Sequence, residues 1–152
     1  MVLSNIGYIG AAVGLSLVIT GASIGIGIIG KSAMSAISRQ PQISGDIRAS
    51  MIIVSALIEG IALFAIIICM LLTLNNDPDA NKMKLFCAGT SAGLVVFGAS
   101  VGISLIGKSA MDGIGRQPEA CNDAKSSMII VSALIEGVAL FGVIICMILS
   151  MK

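Results

Sequence analysis

Four stretches of this chain are almost empty of charge, and that feature decides what it can fold into. Residues 1–30 carry no charged side chain, and residues 85–107 carry none. Between 49 and 76 the only one is Glu59, and between 126 and 151 the only one is Glu136. Each stretch exceeds the roughly 20 residues that take a helix across about 30 Å of hydrocarbon. Strands are excluded, because lipid leaves an open sheet edge unpaired and no barrel-like alternation is present. The chain reads as an all-α membrane protein with four transmembrane helices, expected at about 5–37, 47–74, 84–114 and 125–150. The first lacks a basic leader and outruns a signal peptide's apolar region, so it is read as a span that is kept.

Composition closes the other routes. Hydrophobic residues make up 57% and charged residues 11% of the 152, against about 25% charged in an ordinary soluble domain. Too few charges remain to cover a water-exposed surface. A net charge of +1 gives no footprint for nucleic acid. Four cysteines show no CxxC spacing and histidine is absent, so zinc and thioredoxin-type chemistry have no support and no cofactor is expected.

Short polar segments join the helices. Six basic residues (Lys31, Arg39, Arg48, Lys108, Arg116 and Lys125) lie on the side of the first and third connections, and three (Lys82, Lys84 and Lys152) on the other. The positive-inside rule then puts loops 39–46 and 116–124 in the cytoplasm and both termini on the opposite side.

The chain also repeats itself. Ser50 to Gly60 recurs letter for letter as Ser127 to Gly137, an offset of 77, and Arg39-Gln40-Pro41 returns as Arg116-Gln117-Pro118. Each half, 1–76 and 77–152, is expected to be one helical hairpin, the two side by side in the same orientation. Such parallel repetition suits a cyclic assembly of head-to-tail contacts. Gly14, Gly21, Gly25 and Ser32 fall at intervals of 7, 4 and 7, matched by Ser91, Gly98, Gly102 and Ser109. Small residues on one face let helices approach closely in lipid, where little hydrophobic drive exists between them.

The two glutamates are the chemical centre. Each lies mid-membrane, where an acid costs about 2.5–3.5 kcal/mol on an insertion scale, and no Lys or Arg lies at matching depth. Desolvation disfavours the charged form, so each carboxyl is expected to be protonated at rest or to hold a cation. Ser55 and Ser132 stand four residues before Glu59 and Glu136, on the same helical face, and can hydrogen-bond either form of the acid.

A glycine-rich first helix, an Arg-Gln-Pro loop and a mid-membrane acid 20 residues after that arginine resemble the rotor proteolipid, or c-ring protein, of rotary ATP synthases. The resemblance covers nearly the whole chain, twice. The doubled hairpin is similar to the V/A-type rotor proteolipid, whereas the Arg-Gln-Pro loop looks more like the F-type. It implies a non-catalytic subunit in a homo-oligomeric ring, with Glu59 and Glu136 as ion carriers. It implies that Arg39, Gln40, Pro41, Arg116, Gln117 and Pro118 meet a central stalk, and that a stator subunit supplies an arginine. With both acids retained, the ions carried per turn are not halved, so such a ring is expected to be competent for synthesis as well as pumping.

In the sodium-binding F-type pattern a first-helix glutamine and a Ser or Thr directly after the acid supply further oxygens. Here those places hold Ile26 and Ile103, and Gly60 and Gly137. Proton is therefore the expected ion and sodium at Glu59 and Glu136 the alternative. A small multidrug or cation exporter is the rival class, but it calls for an aromatic-lined cavity, and this chain has no Trp, one Tyr and four Phe.

Overall fold

The computed structural model describes residues 6–74 and 81–151. It contains four long helices: α1 (Ile6–Arg39), α2 (Ser44–Thr73), α3 (Lys82–Arg116) and α4 (Cys121–Met151). All four are long and apolar enough to cross a membrane. The expected first helix start at residue 5 and the boundary between halves at 76/77 lie outside the described residues, as does most of the linker joining them.

The helices run further into the loops than the charge-free stretches do, and proline explains where they stop. A residue before proline is driven out of the α region. Gln40 accordingly sits at φ −132°, ψ 70° before Pro41, and Gln117 at φ −132°, ψ 83° before Pro118. α1 and α3 therefore end at the preceding arginines. Each proline then opens a 3-10 turn, Pro41–Ile43 and Pro118–Ala120, that leads directly into α2 or α4. At the other end Asn81 caps α3, its Oδ1 accepting from the backbone N–H of Met83 at 3.1 Å and of Lys84 at 3.2 Å.

The fold is two hairpins in two layers. α1 and α3 pack along most of their length, α2 fills the groove between them, and α4 lies over α3 and beside α2. The α1–α3 contact is backbone on backbone. A side chain at Gly10 would strike Phe86, and one at Gly14 would strike Gly89. A Cβ at Gly93 would lie 2.6 Å from the Gly14 carbonyl oxygen, and one at Gly21 2.7 Å from Phe97 Cα. The small-residue face on α1 thus does meet a partner helix.

The face that answers it on α3 is a different one. Gly89, Gly93, Ser100 and Gly107 line the contact and are buried. Within the chain, Gly98 has nothing within 4 Å, and Gly102 touches only Ile135 of α4. The reason is geometric. Two repeats in the same orientation meet through the front of one and the back of the next, so a stripe found in both halves cannot meet itself.

The candidate ion site at the hairpin junction

Glu59 and Glu136 each stand midway along an outer-layer helix, about 22 Å from its loop end at 1.5 Å per residue. Their surroundings differ. Glu136 is half-buried between α4 and α2, its Oε1 3.4 Å from where a Cβ at Gly60 would sit. Glu59, the same acid one repeat earlier, is exposed on the free edge of α2. Gly137, the counterpart of Gly60, has nothing within 4 Å. One carboxyl therefore lies at the contact between the hairpins, and the other lies on an uncovered helix face.

Ser132 is fully buried four residues before Glu136, and its Oγ has no hydrogen-bond partner among the described residues. Ser100 Oγ of α3 is likewise buried and unpartnered. Other hydroxyls in these helices donate to a carbonyl three or four residues back, as Ser104 does to Val101 at 2.8 Å and Ser50 to Asp46 at 2.8 Å. Ser55 is half-buried beside the exposed Glu59. Ala62 and Ala139, three residues after the acids, are buried, whereas Phe64 is half-buried and Phe141 exposed.

The loop residues cluster at one end. Arg39 of the first hairpin reaches Asp112 of the second, Nη2 to Oδ1 3.7 Å, and Gln40 Nε2 donates to the Gly115 carbonyl at 3.4 Å. Gly115 makes room, since a Cβ there would come within 2.9 Å of the Arg39 guanidinium. Asp112 and Gly115 were not singled out by sequence reasoning, although a signal exists: they depart from the repeat, standing where the first half has Ser35 and Ser38.

The open side of the second hairpin holds an apolar groove of about 590 Å³ between α3 and α4, lined by Val95, Gly98, Ala99, Val131, Leu134, Ile135, Val138, Ala139 and Gly142. Its counterpart in the first hairpin is closed. Val54 and Ile61 are 0% exposed because the second hairpin covers them, whereas Val131 is 43% and Val138 76% exposed. The complementary difference appears on α1. Ile19 and Ile26 are 50% and 38% exposed, while their α3 counterparts Val96 and Ile103 are fully buried against α1.

Duplicated apolar hairpins, each with one acid midway along its second helix, define a membrane protein of four spanning helices. A family model describing the ATP synthase C-subunit matches residues 9–72 and again 86–149. The chain belongs to that family, as two fused copies of its unit. Over 68 residues it is 57% identical to the ATP synthase c-subunit of Phocaeicola vulgatus, covering 45% of this chain and 81% of that protein. It is 57% identical over 67 residues to the ATP synthase c-subunit of Bacteroides thetaiotaomicron (44% and 79%). With one ATP synthase c-subunit of Pelobacter propionicus it shares 40% identity over 77 residues (51% and 85%).

Proposed function

We propose that this chain forms a head-to-tail ring in which every junction between hairpins holds one proton-carrying glutamate. The observation that carries this reading is the pair of matching surfaces. The α3–α4 groove of one copy has the shape that the first hairpin presents to the second, and the exposed α1 face has the chemistry of the α3 face buried within the chain. A second copy placed by the same step would cover the groove and bring its Glu59 against Gly137 of the first copy. Both acids would then have one environment.

Ion carriage follows from the cost of charge in lipid. A neutral carboxyl can face hydrocarbon, whereas a bare carboxylate cannot do so cheaply. A loaded site can therefore turn through the bilayer. An emptied site is tolerated only beside a positive charge, which this chain does not place at that depth and a stator arginine would supply. Each ion draws about 2.3 kcal/mol per 100 mV of membrane potential, so several ions must combine per ATP. The Arg39 and Arg116 loops, cytoplasmic by their charge, are the surface offered to a central stalk.

Proton rather than sodium is supported by what faces the carboxyl. Glu136 lies against Gly60, which brings no side-chain oxygen, and sodium needs several oxygens around the carboxylate. Ser132 stands four residues before Glu136 on the same helix, and its hydroxyl, without a partner among the described residues, is the one we assign to bond the acid. Labelling by dicyclohexylcarbodiimide tests the reading. Glu59 and Glu136 should both react in the assembled protein, increasingly as pH falls, with no protection by sodium at fixed pH. Absence of labelling at either acid would refute the carrier role, and sodium protection would replace the proton by sodium.

A further inference from the structure

At the loop end of the α1–α3 face, on the side away from α2 and α4, lies a recess of about 360 Å³. Lys31 of α1 and Lys108 of α3, the same lysine in both repeats, line it together, with Ser35 and Asp112 towards the loops and Ile28 and Leu105 towards mid-membrane. Both lysines are exposed, and neither forms an ion pair with a described residue. Asp112 is the one acid in the recess and lies 3.7 Å from Arg39. The local charges are three positive against one negative.

Depth places this recess at a lipid headgroup. α1 has 34 residues, about 51 Å at 1.5 Å per residue, longer than the about 30 Å of hydrocarbon. Lys31 lies eight residues before Arg39, about 12 Å below the loop end, at the border of the acyl region, where a lysine can extend its ammonium outward. Further along the same face the surface is apolar and uncovered: Ile24, Leu94 and Leu105 are all exposed. A molecule with an anionic head and long acyl chains matches both parts at once, since basic recesses between membrane helices near the surface bind anionic headgroups.

We infer that Lys31 and Lys108 hold the phosphate of an anionic phospholipid, whose acyl chains cover the apolar α1–α3 face. Both lysines belong to one chain, so the site rests on the membrane placement in the proposed function and not on ring closure. In a ring the same pair would recur at each junction between copies, along the face that α1 and α3 leave uncovered.

Native mass spectrometry of the purified, delipidated assembly, titrated with phosphatidylglycerol, phosphatidylcholine or inorganic phosphate, tests this. Phosphatidylglycerol should bind in preference to phosphatidylcholine, and millimolar inorganic phosphate should not displace it. Lys31→Gln or Lys108→Gln should weaken phosphatidylglycerol about fivefold and the double variant about thirtyfold, with Lys→Arg variants retaining it. Equal binding of the two lipids, or a double variant that binds unchanged, would overturn the inference. Inorganic phosphate binding alone with the same lysine dependence would also overturn it, in favour of a soluble anion. Should the Gln variants fail to fold, phosphatidylglycerol binding by the unaltered protein must still weaken with salt, and its failure to do so is decisive against the lysines. A chain that stays single yet binds phosphatidylglycerol through them would refute the ring alone, and a closed ring indifferent to headgroup charge would refute only this site.

Discussion

The two hairpins carry nearly the same residues on their working faces, yet one is covered where the other is bare. Ile61 is sealed beneath the second hairpin while Val138, its repeat, is 76% exposed. Glu136 is tucked against Gly60 while Glu59 stands open. A difference this large between nearly matching surfaces comes from what lies next to them. The chain thus displays one complete junction, and in the proposed ring its two bare faces would be the halves of another.

The sharpest way to break that comparison is to trap the missing junction. Gly14 meets Gly89 within the chain, so the equivalent contact between copies pairs Ser91 with Ala12. The double variant Ala12→Cys/Ser91→Cys should oxidise in membranes to a ladder in multiples of 15.4 kDa. Material that stays at a single chain's mass would contradict the head-to-tail contact.

Smaller effects grade the covered half against the bare half. Ile61→Ala removes packing at a sealed position and should cost about 2–5 kcal/mol, whereas Val138→Ala should change the isolated chain by under about 0.5 kcal/mol. Unfolding of the single chain in detergent compares the two, and equal losses would mean the hairpins are not packed as described. Gly93→Leu forces a side chain onto the Gly14 carbonyl and should cost about 1–3 kcal/mol. Gly98→Leu, with open space around it, should spare the chain and block only assembly, read as loss of the high-mass species. Asp112→Asn releases Arg39 from a partly exposed ion pair and should cost about 0.2–1 kcal/mol, less at high salt.

Much of this was legible in the residues because lipid is an unforgiving solvent. Charge-free stretches marked the helices, although the first and third run two residues past the expected ends at 37 and 114, to the arginines before Gln-Pro. The pairing of faces was not legible. The stripe of Gly14, Gly21 and Gly25 is visible in both repeats, but its partner on α3, Gly89 and Gly93, has Ala12 and Ser16 as counterparts in the first half, so the repeat itself conceals it. Asp112 was hidden for the opposite reason, since attention to what recurs passes over the residue that does not. The unpartnered hydroxyl of Ser100 gives no sign in sequence at all, because a serine looks the same whether or not its oxygen finds a carbonyl.

Proton transport by the reconstituted synthase carrying Glu59→Gln alone tests the central claim most directly, because Glu59 is the acid whose junction only a second copy can complete. Equivalence of the two acids predicts that transport falls to background, as it should for Glu136→Gln. Retention of half or more of the normal rate would mean that Glu136 carries the ions by itself and that the two hairpins do different work.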